Sequence, residues 1–97
     1  MKFNTKVIHG GQHHDPSTGA VMPPVYQTST FVQTSPGQPL NPDYEYSRAA
    51  NPTRSALENA LASIENGTRG LAFSSGLAAT DCILRSFKAG DEIIAMD

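Results

Sequence analysis

The sequence contains a single cysteine, Cys82, and no tryptophan. One thiol excludes an intrachain disulfide and a multi-cysteine zinc site, and we expect Cys82 to be a small buried side chain inside a helix. No apolar run approaches the ~20 residues of a membrane span, and residues 1–10 lack the apolar segment of a secretion signal. These absences predict a cytoplasmic protein that contacts no membrane.

Charge is sparse and nearly balanced. Seven lysines and arginines oppose nine aspartates and glutamates, which gives a formal net charge of −2. The basic residues are scattered, so nothing indicates binding to nucleic acid. Charged residues make up 16% of the chain, below the roughly 25% that is usual in soluble domains. We therefore expect much of the surface of this chain to be covered by something else.

Proline is missing after position 52, and the seven prolines all lie at or before that position. Proline fixes φ, removes an N–H donor and favours extended geometry in the residue before it. Residues 1–50 are therefore predicted to form an extended, irregular arm, with at most a short strand or helical turn near residues 26–32. Val21, Val25 and Phe31 are too apolar for a solvated linker, so the arm should lie against its own domain or a second subunit.

The second half has the pattern of regular structure. A helix is predicted from its cap at Asn51 to a stop at Gly67, with apolar residues at helical spacing between them. A strand over residues 70–74, a second helix over 77–87 and a second strand over 92–96 follow. Helices and strands in alternation are typical of an α/β protein with a parallel sheet.

These elements are too few to bury a stable core by themselves. Two parallel strands that are covered on both faces need further strands and helices around them. We therefore interpret residues 51–97 as the beginning of a larger α/β domain, and the whole sequence as the N-terminal part of a longer polypeptide.

The first candidate site lies between a predicted strand and a predicted helix, from Ser74 to Thr80. The first turn of such a helix presents unpaired N–H groups and the positive end of the helix dipole. Ser74 or Ser75 can donate a hydroxyl and Gly76 allows close approach of an anion, which favours a phosphate-bearing ligand. The alternative is an ordinary serine cap followed by a turn glycine. The segment matches neither the Gly-x-Gly-x-x-Gly nor the Walker pattern.

The second candidate site is Tyr44-Glu-Tyr-Ser-Arg48. In an extended chain Tyr44, Tyr46 and Arg48 point to one side and Glu45 to the other. Arg48 is then free to bind a phosphate or carboxylate with both arms of its guanidinium. The alternative is a stack of arginine on tyrosine with a surface ion pair to Glu45 or Asp43.

No metal site is predicted from the three histidines near the N-terminus. Adjacent histidines in an arm point apart, so His13-His14-Asp15 is interpreted as part of a solvated turn. Asp91 and Glu92 are interpreted as the opening of a strand and not as a catalytic pair of carboxylates.

Four motifs in order and register resemble one enzyme family. They are Tyr46-Ser-Arg48, Asn51-Pro-Thr-Arg54, Ser75-Gly-Leu-Ala-Ala-Thr80 and Ala89-Gly-Asp91. Together with the arm, they are similar to the pyridoxal-phosphate (PLP) enzymes of transsulfuration, which include the cystathionine lyases and synthases. The resemblance extends over essentially all 97 residues.

The resemblance implies an α/β fold of the aspartate-aminotransferase-like PLP fold type I, with pyridoxal 5′-phosphate as cofactor. It implies that Ser75, Gly76 and Leu77 hold the cofactor phosphate, the last two through backbone N–H groups. It also implies a homotetramer of two dimers, in which Tyr46 and Arg48 reach the phosphate of the neighbouring subunit's cofactor. An arm that crosses a subunit interface would be apolar yet irregular.

The activity that the resemblance implies is that of a carbon–sulfur lyase or γ-synthase, acting on cystathionine or an activated homoserine. Glu45 would then hold the distal amino group of cystathionine. The family's Schiff-base lysine lies beyond Asp97, so no catalytic residue is expected within residues 1–97. Methionine γ-lyase, cystathionine β-lyase and O-acetylhomoserine sulfhydrylase activities stay open, as does a non-enzymatic fragment that only binds phosphate or dimerises.

Overall fold

The computed structural model describes residues 1–96 and contains three helices and one hairpin in that range. The elements are α1 (Phe3–His9), β1 (Gln33–Ser35), β2 (Gln38–Pro39), α2 (Pro52–Ile64) and α3 (Gly76–Leu84). None of the helices in the described range is long and apolar enough to span a membrane.

Helix α2 begins where the sequence predicts and has a defined end. Asn51 is extended, with φ −142°, and its side-chain oxygen accepts a hydrogen bond from the Thr53 N–H at 2.9 Å. This bond satisfies one of the free N–H groups of the first turn. At the other end Asn66 is left-handed, with φ 55°, and the Gly67 N–H donates to the Ala62 carbonyl at 2.8 Å. The helix therefore ends in a Schellman motif, with Asn66 and not Gly67 as its left-handed residue.

The arm is more structured than predicted, because its first residues form α1 and contact α2. Lys6 Nζ donates to Asn66 Oδ1 at 2.5 Å. Gly11 has φ +69° and passes so close to α2 that a Cβ there would overlap the Asn59 carbonyl. Only glycine combines this backbone conformation with this approach. The arm thus lies against its own chain, one of the two surfaces that the sequence predicts.

A hairpin in the arm was also not predicted from the sequence. Strands β1 and β2 are antiparallel, with Gln33 opposite Pro39. Gly37 in the connecting turn has φ +74°, and Pro36-Gly37 is the dipeptide typical of a type II turn. The turn signal was therefore present in the sequence.

Neither predicted strand of a parallel sheet forms within residues 1–96. Residues 70–74 and 92–96 have no strand partner, and the sheet of the described residues is the antiparallel hairpin. The prediction of these two strands is wrong for this part of the chain. A parallel strand depends on hydrogen bonds to neighbouring strands, and an apolar run does not supply those neighbours.

Helix α3 ends at Leu84, earlier than the predicted end at residue 87. Among the elements of residues 1–96, none packs against α3. Cys82 is exposed for this reason, which contradicts the prediction of a buried thiol. With Leu71, Phe73 and Ile83 it lines an open apolar groove on one side of the helix.

The described residues enclose almost no core. Within them, Ala60 alone is both apolar and buried. The radius of gyration is 17.0 Å and the extents are 48 × 41 × 19 Å, whereas a compact domain of this length has a radius of gyration of about 12–13 Å. The predicted shortage of core is confirmed.

Candidate functional site

The N-terminus of α3 leaves two N–H donors without a partner. Ser75 is extended; its Oγ accepts from the Ala78 N–H at 3.1 Å and its carbonyl from the Ala79 N–H at 3.2 Å. The N–H groups of Gly76 and Leu77 precede the first bond within the helix, and no acceptor meets them among residues 1–96. The serine cap and the phosphate site are therefore compatible, because they use different N–H groups.

Open space surrounds Gly76. A Cβ placed on it would meet no heavy atom of the described chain within 4 Å, and its φ lies outside the left-handed region. The Thr80 hydroxyl donates to the Gly76 carbonyl at 3.0 Å, so that the carbonyl is satisfied inside the helix. Neither packing nor backbone conformation within residues 1–96 requires glycine here. The side of Gly76 on which a Cβ would lie is therefore open to an anion that binds the N–H groups of the first turn.

Tyr46 is held in an extended pair of segments within the arm. It lies opposite Thr30 in an antiparallel bridge. The next residue, Ser47, donates its N–H to the Ser29 carbonyl at 2.8 Å. This pairing fixes the backbone immediately before the arginine of the candidate site.

Arg48 lies in a turn and not in the predicted extended segment, since the Ala49 N–H donates to the Tyr46 carbonyl at 2.9 Å. Its guanidinium carbon is nevertheless 4.9 Å from the Tyr46 ring centroid, which is a cation–π stack. The stack that belongs to the alternative interpretation forms, whereas its ion pair with Glu45 or Asp43 does not occur in the described residues. The guanidinium fork therefore has no carboxylate partner there and can accept an anion.

Glu45 is turned toward the hairpin. The Gln33 Nε2 donates to Glu45 Oε1 at 3.3 Å, so this carboxylate does not compete with an anion for Arg48. Tyr44 packs on Phe31 with ring centroids 5.7 Å apart, and its ring serves the packing of the arm.

Arg54 binds the backbone of the turn that carries Arg48. Nη1 donates to the Ser47 carbonyl at 2.9 Å and Nη2 to the Ala49 carbonyl at 2.7 Å. Its Nε lies 3.7 Å from Glu58 Oε1. Because these donors are used within the chain, Arg54 supports the site and offers no second fork to a phosphate. Its motif stood out in the sequence, but nothing in the spacing reveals these contacts.

Asn51 and Thr53 join the arm to the beginning of α2. The buried Asn51 donates Nδ2 to the Tyr26 carbonyl at 3.1 Å and to Ser47 Oγ at 3.0 Å. Thr53 Oγ1 donates to the Pro24 carbonyl at 3.0 Å and accepts from the Tyr26 N–H at 2.8 Å. The residues that begin α2 thus also fix the position of the segment before Arg48.

Asp15 forms the turn that the sequence predicts, but it is buried and not solvated. Hydrogen bonds from the Thr18 hydroxyl at 2.6 Å and the Ser17 hydroxyl at 2.7 Å hold the pKa of this carboxyl below its usual value of 3.8. His13 and His14 are exposed. Within residues 1–96 no three histidine, cysteine, aspartate or glutamate side chains are grouped so that they could hold a metal ion.

Comparison with known proteins finds relatives that match nearly the whole of this chain. The cystathionine β-lyase of Lactococcus lactis subsp. cremoris is 57% identical over 95 residues, covering 98% of this chain and 24% of the relative. The cystathionine γ-lyase of Bacillus subtilis is 48% identical over 97 residues, and the cystathionine γ-synthase of Mycobacterium tuberculosis is 50% identical over 94 residues. They cover 100% and 96% of this chain, and 25% and 24% of the relatives. The chain thus spans about a quarter of the length of these curated relatives.

Solved structures of similar proteins also match nearly the whole of this chain. The cystathionine γ-lyase from Lactobacillus plantarum complexed with L-serine matches with a TM-score of 0.79 and 50% identity, over 94% of this chain and 23% of that one. The metB protein from Corynebacterium glutamicum matches with a TM-score of 0.82 and 43% identity, over 94% and 24%. The family model of the Cys/Met metabolism PLP-dependent enzymes matches residues 4–97. The chain therefore belongs to the Cys/Met metabolism family of PLP-dependent enzymes.

Proposed function

We propose that the protein containing this chain is a PLP-dependent transsulfuration enzyme that acts on cystathionine or an activated homoserine, by γ-elimination or γ-replacement. The observation that carries the proposal is the N-terminus of α3, where the cap leaves the N–H groups of Gly76 and Leu77 free beside open space. Membership of a PLP-dependent family supplies a ligand whose phosphate fits these donors.

The residues of this chain fit the cofactor's phosphate. A phosphate dianion is favoured at a helix N-terminus by free N–H groups and by the helix dipole. Ser75 Oγ accepts from the Ala78 N–H and keeps its own proton to donate. We therefore assign Ser75, Gly76 and Leu77 to the phosphate of the cofactor in the same subunit. When bound, PLP supplies the electron sink for removal of protons near the substrate's amino group.

Tyr46 and Arg48 form the second anion-binding element of the proposal. Arg48 has no carboxylate partner in the described residues and is oriented by its stack on Tyr46. We assign the pair to the phosphate of the neighbouring subunit's cofactor, in a homotetramer of two dimers located in the cytoplasm. The exposed apolar side chains of the arm, Val21, Met22 and Val25 among them, support an arm that lies in a subunit interface.

The proposal includes the finer fold. Residues 1–50 would form an interface arm, and residues 51–97 would begin a PLP-binding domain of the aspartate-aminotransferase-like fold type I. The similarity to solved cystathionine γ-lyase structures supports this arrangement. The open groove beside Cys82 and the small core also fit a domain that needs further elements around α3.

A second candidate function is β-elimination of cystathionine. It is favoured by the 57% identity to the Lactococcus lactis subsp. cremoris cystathionine β-lyase, which exceeds the 48–50% to the γ-lyase and γ-synthase described above. Both activities need a group that binds the distal amino group of cystathionine. We assign this role to the exposed carboxylate of Glu45.

Product analysis of the complete protein with PLP and cystathionine tests these proposals. With uptake of water, γ-elimination yields cysteine, 2-oxobutanoate and ammonia, and β-elimination yields homocysteine, pyruvate and ammonia. A γ-synthase forms cystathionine from cysteine and an activated homoserine and releases the activating group. A Glu45→Gln variant should raise the KM for cystathionine about tenfold, the loss of one charge-assisted hydrogen bond. Absence of all three reactions, or of bound PLP, would contradict the proposed function.

A further inference from the structure

Helix α2 carries two charged side chains, one turn apart: one contacts the turn that carries Arg48, and the other contacts the segment that leads to the first turn of α3. Arg54 binds the carbonyls of Ser47 and Ala49, on either side of Arg48. Glu58 accepts a hydrogen bond from the Ala72 N–H at 2.9 Å through Oε1. Ala72 lies three residues before the cap of α3.

The two side chains also contact each other. Arg54 Nε lies 3.7 Å from Glu58 Oε1, the same oxygen that accepts from Ala72. Their side chains are 32% and 19% exposed, whereas the other pair of this spacing in the described residues, Arg85 with Asp81, is 77% and 57% exposed. Shielding from water strengthens an ion pair of this kind relative to an exposed one.

Backbone packing reinforces the contact to the second segment. A Cβ on Gly70 would overlap the carbonyl of Glu58, so the chain leading to α3 passes directly over α2. The Ala72 N–H bond then fixes the direction in which this chain leaves the helix. No backbone hydrogen bond in the described residues ties the Arg48 turn directly to α3.

We propose that Arg54 and Glu58 are positioning residues, which set the Arg48 turn and the segment leading to Ser75 relative to one helix. This inference rests on the proposed function, since it takes both segments to bind cofactor phosphate. Arg54 touches no ligand in this scheme. It holds two carbonyls of the turn, so that the fork of Arg48 stays aimed at the phosphate of the neighbouring subunit's cofactor.

The experiment compares two probes on the apo form of the complete protein. PLP and pyridoxal share the ring, but pyridoxal lacks the phosphate, so the ratio of their dissociation constants isolates phosphate recognition. Both constants are measured by absorbance titration. Apo-protein Tm is measured in parallel as the control for folding.

The expected results separate positioning from stability. Arg54→Gln should weaken PLP binding about tenfold, equivalent to about 1.4 kcal/mol, and leave pyridoxal binding within about twofold. Glu58→Ala should act in the same direction. The double variant should weaken PLP binding by about the same factor as the single variant with the larger effect, since the two residues act as one unit. Arg85→Gln, an exposed pair of the same spacing, should change neither constant.

Other outcomes overturn the inference. If Arg54→Gln lowers Tm but keeps the wild-type ratio of the two constants, its role is structural only. If Arg54→Gln does not fold, Arg54→Lys keeps the charge and loses the two-armed contact, and a wild-type ratio in that variant is equally contradictory. If the wild-type protein shows no preference for PLP over pyridoxal, the proposed function itself fails and the inference falls with it.

Discussion

Replacement of Asn51 by alanine should open the junction between the arm and α2. The side chain caps α2 through the Thr53 N–H and donates to the Tyr26 carbonyl and to Ser47 Oγ. Loss of the cap costs about 1 kcal/mol, and loss of each buried hydrogen bond costs about 1 kcal/mol more. The local opening free energy should therefore fall by about 3 kcal/mol, which corresponds to roughly hundredfold faster amide exchange.

Hydrogen exchange at the amides of residues 53–55, in the apo form of the complete protein, measures this effect. Asn51→Asp keeps the cap acceptor and loses only the two donated bonds, so its loss should be about 1 kcal/mol smaller. Ser75→Ala provides a matched control, because Ser75 caps α3 and has no long-range hydrogen bond within residues 1–96; its loss should be about 1 kcal/mol, at α3. An Asn51→Ala effect no larger than that of Ser75→Ala would refute the reasoning.

Three further predictions follow from single residues. Gly11→Ala should lower the free energy of unfolding by at least about 2 kcal/mol, because Gly11 has a positive φ and a Cβ there would overlap the backbone of α2. Gly19→Ala is the control: Gly19 also has a positive φ, but its Cβ would meet no atom of the described residues within 4 Å, so the loss should be about 1 kcal/mol. Denaturant unfolding measures both losses. Gly76→Ala should not lower the Tm of the apo protein, because its Cβ meets no heavy atom within 4 Å in the described residues. It should weaken PLP binding about tenfold through the lost approach to the N–H groups. The pKa of the Asp15 carboxyl is held below 3.8 in the folded chain, so its ionised form stabilises the fold fully above pH 3.8 and this stabilisation is lost as the pH falls through the lowered pKa. Asp15→Asn should therefore flatten the pH dependence of Tm below about pH 4. An unchanged slope would contradict this prediction.

Local signals predicted the local features of the fold. The cap at Asn51 and the turn at Ser75 depend on side-chain bonds to N–H groups two or three residues away, and such bonds follow from residue type and spacing. The same holds for the shortage of core, which follows from length and composition. The sequence predicts the left-handed residue at the end of α2 one position too late, at Gly67, because asparagine can also adopt this conformation and Asn66 does so.

Features that depend on distant partners could not be predicted. Helix α1 has seven residues and no side-chain cap, and such a short helix is stabilised mainly by tertiary contact, here by α2. Residues 70–74 and 92–96 are apolar enough for strands, but a strand needs a neighbour, and its hydrogen bonds cannot be derived from its own sequence. The role of Arg54 was invisible for the same reason, since its partners are carbonyls brought near by folding.

The central claim is that the first turn of α3 binds the phosphate of PLP. A crystal structure of the complete protein with PLP tests it most directly. We expect phosphate oxygens at about 2.7–3.2 Å from the backbone nitrogens of Gly76 and Leu77, with Arg48 of the partner subunit on the same phosphate. A phosphate held elsewhere, with the N–H groups of Gly76 and Leu77 facing water or protein, would show that this turn is not the phosphate site.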